Sequence, residues 1–184
     1  MIKIKNFPLR EIIFGLEDGI VSTLGVLIGI AVGTNNRLLV ILSGLVVISV
    51  ESLSMAAGTF LSNKSAIELH QAEDKENLFK RIFHRHSQNR PVKESLFMGV
   101  SYILGGTISL ISFFFLPPQL GIISAVLLSF VFLFTLGFIK GKLAKINPIK
   151  SGLEMTLISA TAAAIGYIVG KLAGDILHTV NNIS

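Results

Sequence analysis

Two neighbouring stretches decide the fold: FGLEDGIVSTLGVLIGIAVG (Phe14–Gly33) and LLVILSGLVVISVESLSMAAGTFLS (Leu38–Ser62), joined by the short polar link Thr34–Arg37. Both are apolar, and both carry acid where a membrane span should have none: Glu17 and Asp18 in the first, Glu51 in the second. Glu51 is the more isolated, because no other charged residue falls between Arg37 and Lys64. An acidic residue at mid-helix costs roughly 2.5–3.5 kcal/mol on insertion scales, so such residues are candidates for function by default. The rest of the chain reads as housing for these side chains.

Working outward, the composition rules out an ordinary soluble domain. Of 184 residues 51% are hydrophobic, mean hydropathy is +0.72, and charge falls between the apolar runs. Five runs reach or approach the ~20 residues needed to cross ~30 Å of hydrocarbon. They are Glu11–Val32, Leu38–Ser62, Ser95–Leu116, Gln119–Ile139 and Gly152–Leu172. The expectation is an all-α membrane protein, a single five-helix domain over residues 1–184, with 63–94 as a short extension between the second and third spans. The first run is not expected to be a cleaved signal peptide. It holds two adjacent acids, exceeds the length of such a segment and lacks a convincing small-x-small cleavage site. With no cysteine, disulfides, thiolate metal sites and cysteine nucleophiles are excluded.

The net charge of +5 reads as topology rather than as nucleic-acid binding. Of sixteen Lys and Arg, all but Arg37 and Lys171 fall in the amino-terminal lead, in 63–94 or in 140–150. The positive-inside rule then puts the amino terminus in the cytoplasm and the carboxyl terminus outside, as an odd number of spans requires. The chain is expected to be multi-pass in a prokaryotic cell membrane, with the lipid bilayer as surroundings and no nucleic-acid partner.

Pro8 marks the start of the first helix. Gly15-x3-Gly19 and Gly25-x3-Gly29-x3-Gly33 then form a small-residue face where another helix can come close. In the second span, Glu51, Met55 and Thr59 share one face at helical spacing. A polar continuation from Asn63 to about Ser87 predicts a helix reaching into the cytoplasm; its glutamates Glu68, Glu73 and Glu76 could gather metal. His84 and His86 are two apart, do not converge on a helix, and read as solvated. Pro91, Pro117-Pro118 and Asn147-Pro148 break the chain between later spans. The fourth span, rich in Phe and Leu with Gly137 near its end, looks largely lipid-facing. In the fifth, Ala160, Ala162, Ala163, Ala164, Gly166 and Gly170 permit close packing, and Glu154 lies one turn inside.

Asp18, Glu51 and Met55 together make a poor structural motif but a reasonable cation site. Carboxylates supply hard oxygen, and a thioether adds a soft donor that favours Fe²⁺, Mn²⁺ or Co²⁺ over Mg²⁺ or Ca²⁺. Across a two-fold axis each ligand would occur twice, giving up to six donors. Because ligands must be deprotonated, binding releases protons, which gives a physical basis for metal/proton antiport. Glu17 and Thr59 are further pathway candidates. The alternative puts Glu17 near the cytoplasmic interface and pairs Asp18 with Arg10 or a loop lysine; for both Glu17 and Glu154 the interface is the preferred reading. No cofactor is expected: the metal is the cargo and H⁺ the counter-ion. An enzyme is not expected either, since no His cluster, Ser/Lys pair or cofactor motif lies at membrane depth. The alternatives are a transporter or channel for another cation or small polar solute, and a non-transporting subunit whose acids bind a partner helix.

These residues also carry a likeness. Phe14-Gly15-x-x-Asp18-Gly19-x-Val21-Ser22-Thr23-Leu24-Gly25, with Ser54-Met55-Ala56-Ala57-Gly58-x-x-x-Ser62, resembles the vacuolar iron transporter family. Ser101-Tyr102-x-x-Gly105-Gly106 is similar to its third span. Ser151-Gly152-Leu153-Glu154-Met155 and Ala162-Ala163-x-x-Gly166-Tyr167-x-x-Gly170 are similar to its last. The resemblance implies a five-helix fold, a homodimer with its pathway between the two first helices, and exchange of Fe²⁺ for H⁺ out of the cytoplasm, with Mn²⁺ or related ions accepted by many members. It maps the intramembrane Asp, Glu and Met onto Asp18, Glu51 and Met55. Two departures stand out: Thr59 replaces a Glu often found in prokaryotic relatives, and only 63–94 occupies the place of the long glutamate-rich domain of iron-concentrating members.

Overall fold

A computed structural model of the protein describes residues 8–73 and 90–181, and there the chain is helical apart from short turns. The elements are α1 (Leu9–Thr34), α2 (Arg37–Glu73), α3 (Arg90–Phe115), α4 (Pro118–Leu143) and α5 (Pro148–Asn181). All five are long and apolar enough to cross a membrane. The expected spans map onto them one to one, except that α3 stops at Phe115, one residue short of the expected Leu116, and α2 and α5 run well beyond the expected ends at Ser62 and Leu172. The expected cytoplasmic continuation of α2 is helical as far as Glu73; its remainder, with Glu76, His84 and His86, lies outside the described residues.

Local chemistry sets the helix ends. Pro8 stands at the N-cap of α1 and accepts from the Ile12 amide at 3.1 Å. Asn35 closes α1 in the left-handed conformation, and Asn36 Oδ1 accepts from the Leu38 and Leu39 amides to open α2. Asn residues suit both roles, because a short polar side chain tolerates positive φ and caps free amides. Pro118 takes the first turn of α4, where its missing N–H costs nothing. Asn147 Oδ1 caps α5 through the Ile149 and Lys150 amides. The α1–α2 turn is tied to the end of α3 by Arg37, which donates to the carbonyls of Phe113 (Nε, 2.8 Å) and Phe114 (Nη2).

α1 runs through the middle of the bundle and touches all four other helices. Lipid removes the hydrophobic drive between helices, so small residues that let backbones meet decide the packing. Gly15 and Gly19 seat α1 on α3: a Cβ at Gly15 would lie 2.7 Å from the Met98 carbonyl, and one at Gly19 would strike the Tyr102 carbonyl. On α1's other flank, Gly25, Gly29 and Gly33 mesh with Ala162, Gly166, Gly170 and Gly174 of α5. The glycine face of the first helix thus packs within one chain. α4 buries a narrow stripe at every fourth residue, Gly121, Ala125, Ser129, Leu133, Gly137 and Gly141, and leaves Leu120, Ile123, Leu127, Val131 and Phe132 outward. Hydroxyls stitch the seams: Ser109 Oγ donates to the Ile20 carbonyl and pairs with Ser129, and Ser112 donates to Ser124. The core proper is Leu24, Leu27, Ile28, Val40, Ile48, Leu110 and Phe113.

The glycine seam generates a stability prediction. A methyl at Gly166 has no room against the Gly25 carbonyl, whereas Gly58 has nothing within 4 Å. Gly166→Ala should destabilise by roughly 1–3 kcal/mol, as overpacking does, while Gly58→Ala should be neutral. Thermal melts of the purified protein in one detergent check the pair.

Candidate metal-translocation site

Three helices bring together four polar side chains, of which Tyr102 is buried and Asp18, Ser22 and Glu51 are half-buried. α1 contributes Asp18 and, one turn on, Ser22, whose hydroxyl donates to Asp18 Oδ1 at 3.3 Å. α2 contributes Glu51. α3 contributes Tyr102, a fully buried ring whose hydroxyl donates to Glu51 Oε2 at 2.9 Å. Asp18 lies near enough to Glu51 and Tyr102 for their charges to act on one another. The two intramembrane carboxylates therefore belong to one polar cluster, reached because Gly15 and Gly19 let the Tyr102 turn of α3 press against α1.

Met55 and Thr59 sit one and two turns from Glu51, towards the polar end of α2. They line a cleft of about 430 Å³ between α2 and the starts of α1 and α3. Arg10, Glu11, Ser62, Asn63 and Met98 share that lining. Asn63 Nδ2 donates to Glu94 Oε2 at 2.8 Å, which links α2 to α3 beside the cleft. The donor types available there are two thioethers, hydroxyls, an amide and one carboxylate.

The other predicted residues go elsewhere. Glu17 follows α1's turn away from Asp18 and lines a separate cleft between α1 and α4, where Lys140 is its charge partner. Glu154 is exposed on α5 between the exposed Leu153 and Leu157. Glu68 is exposed beside Lys64, with Nζ 3.8 Å from Oε1. Glu73 ends α2, and Glu76 lies outside the described residues. Among the described residues, no three of His, Cys, Asp and Glu gather into a metal-holding group. One chain thus offers two clustered carboxylates, not a complete cage.

Sequence reasoning assigned Met98 and Glu11 no place at the site, and used Ser22 and Tyr102 only as motif letters. The available signal was that a tyrosine inside an apolar span needs a partner for its hydroxyl. Its spatial closeness to Glu51, 51 positions away, is not a sequence property.

The VIT family model matches residues 9–82 and 75–171. The chain belongs to the VIT family. Members of this family are transporters rather than enzymes. An uncharacterized protein of Methanocaldococcus jannaschii is 28% identical over 169 residues, 88% of each chain. The vacuolar iron transporter homolog 2 of Oryza sativa subsp. japonica is 28% identical over 180 residues, 94% of each. The vacuolar iron transporter 1 of Eucalyptus grandis is 21% identical over 212 residues, 89% of this chain and 85% of its own.

The Tyr102–Glu51 hydrogen bond carries a prediction. A group that orients a ligating carboxylate is typically worth tenfold to a hundredfold in metal affinity, roughly, when removed. Tyr102→Phe should weaken Mn²⁺ binding by about that factor while lowering stability by only about 1 kcal/mol. Calorimetric titration with Mn²⁺, set beside a melting curve, separates the two effects.

Proposed function

We propose that this VIT-family protein transports a divalent transition metal, Fe²⁺ or Mn²⁺, out of the cytoplasm in exchange for protons. The observation that carries the reading is that Asp18 and Glu51, each held by a hydroxyl, lie near enough to feel each other's charge, next to a cleft that Met55 lines. The names of the rice and Eucalyptus relatives agree with iron as cargo. The orientation follows the Lys and Arg asymmetry, with the amino terminus cytoplasmic, the carboxyl terminus external and the Met55 cleft on the cytoplasmic side. A prokaryotic cell membrane fits the archaeal relative.

Asp18 and Glu51 are the metal ligands in this reading, with Met55 as the soft donor at the approach and Thr59 lining the way in. Two carboxylates balance a divalent charge but leave the coordination shell unfilled. A homodimer joined through the first helix would supply the second set. Beyond Asp18 and Ser22, the same strip of α1 continues as Gly25, Val26, Gly29 and Ile30 along a groove of about 580 Å³ beside α5, which the single chain leaves open. Proton exchange follows because the carboxylates must be unprotonated to hold metal, so each metal bound displaces protons.

The sign of the pH dependence is fixed by that competition: binding weakens as pH falls. Glu51→Gln cannot take part and should flatten the dependence. The test is flux of Fe²⁺, Mn²⁺, Co²⁺ and Zn²⁺ into proteoliposomes under an imposed pH gradient. Native protein should move metal and protons in opposite directions, and Glu51→Gln and Asp18→Asn should abolish the coupled flux. Unchanged flux in both variants would overturn the site; metal flux without proton movement would overturn the antiport.

A further inference from the structure

The cleft that holds Glu17 is separate from the carboxylate cluster and has a different chemistry. It lies between the start of α1 and the end of α4, encloses about 510 Å³, and is lined by Leu9, Arg10, Ile13, Phe14, Glu17, Lys140, Leu143 and Ala144. Along α1 it extends from Leu9 to Glu17, about 12 Å at the helical rise of about 1.5 Å per residue. Its walls are apolar, and Phe14 and Leu143 are each 48% exposed, so they face outward from the bundle. Its basic end is where the α4–α5 turn brings Lys140, Lys142, Lys145 and Lys150, at the level where lipid headgroups lie for a helix of this length.

Within the cleft, charge does not cancel. Arg10, which also borders the Met55 cleft, and Lys140 carry two positive charges, and Glu17, which feels the charge of Lys140, carries one negative charge. Lys142 points at its own neighbour, with Nζ 4.8 Å from the Phe138 ring centroid, and does not line the cleft. One uncompensated cation above an apolar groove matches a monoanionic phosphodiester with acyl chains attached. Basic pockets between membrane helices are the usual receptors for such headgroups. A guanidinium adds forked donors that suit phosphate oxygens.

We propose that the α1–α4 cleft is a binding site for one anionic phospholipid, its phosphate held between Arg10 and Lys140 and its acyl chains lying against Ile13, Phe14 and Leu143. A zwitterionic lipid is a poorer occupant, because its own ammonium group competes with Arg10 and Lys140 for the phosphate. A soluble anion lacks the apolar part that the groove would cover.

The experiment uses the full chain in phosphatidylcholine nanodiscs, with and without phosphatidylglycerol, reading retained lipid by native mass spectrometry and stability by thermal melting. Retention of one phosphatidylglycerol and a rise in melting temperature are expected. Arg10→Gln with Lys140→Gln should reduce retention about tenfold or more, since each basic contact near a membrane surface is worth about 1 kcal/mol. Arg10→Lys with Lys140→Arg should restore it. Lys142→Gln with Lys145→Gln, outside the cleft, should retain lipid as the native protein does. Each variant's melting in pure phosphatidylcholine is its own reference, and the double glutamine variant should lose the rise that phosphatidylglycerol gives the native protein, which separates lost lipid from lost folding. Equal loss in the two glutamine pairs would mean diffuse attraction to a basic surface and would overturn the site. Equal stabilisation by glycerol phosphate or inorganic phosphate would overturn the lipid as occupant.

Discussion

The backbone contact between α1 and α3 at Gly15, Gly19 and Gly105 is what the rest of the structure depends on. No side chain larger than hydrogen fits at these points, because a Cβ would meet the Met98, Tyr102 or Leu16 carbonyl. Where lipid is as apolar as a leucine side chain, such close approach supplies the dispersion and polar contacts that hydrophobic burial supplies in water. Two consequences follow from the approach. Ser109 comes within 3.1 Å of the Ile20 carbonyl, to which it donates, and pairs with the hydroxyl of Ser129 of α4. Tyr102 arrives at the level of Asp18 and reaches across to Glu51.

The three intramembrane acids are satisfied in different ways, and the difference sorts their chemistry. Asp18 and Glu51 each accept from a neutral hydroxyl, Ser22 and Tyr102. A hydroxyl occupies one of roughly four acceptor positions on a carboxylate and leaves its negative charge in place. Glu17 instead shares its cleft with Lys140 and feels that ammonium's charge. A cation approaching Asp18 or Glu51 meets no lysine or arginine among their hydrogen-bond partners in the described residues; one approaching Glu17 shares the cleft with Lys140. Adjacent residues in the sequence therefore have opposite electrostatic fates, because one helical step of about 100° points them at different neighbours.

Much of this was legible in the sequence where a one-dimensional rule applies. Span number and limits follow from apolar length, turn positions from Pro8, Asn147-Pro148 and Pro117-Pro118, and the close-packing faces from glycines four apart. The identity of the packing partners was not legible. Gly25, Gly29 and Gly33 could equally have met a second chain, and only the fold pairs them with Gly166, Gly170 and Gly174. The stripe of every fourth residue on α4 mixes Gly, Ala, Ser and Leu, so no single residue type announces it. Around the site, Glu51, Met55 and Thr59 on one helix face could be read from spacing. Met98 and Glu11 join Met55 and Thr59 only because the starts of α1 and α3 converge on α2.

Under the proposed transport reading, donor types change along the way in. Met55 and Met98 line the outer cleft with one carboxylate, Glu11, and the acids Asp18 and Glu51 lie further along α1 and α2. Thioethers bind Mg²⁺ and Ca²⁺ poorly and later transition metals better, so the outer cleft discriminates by softness. The inner pair, Asp18 and Glu51, adds anionic oxygen to these soft donors. Separating the two functions has a physical advantage. A site that combined every soft and anionic donor would hold its ion too tightly to release it, whereas two partial sites in series each bind weakly enough to pass it on. The hydroxyl partners of Asp18 and Glu51 serve the same end, since they hold the empty carboxylates in place without the lysine that would close the route.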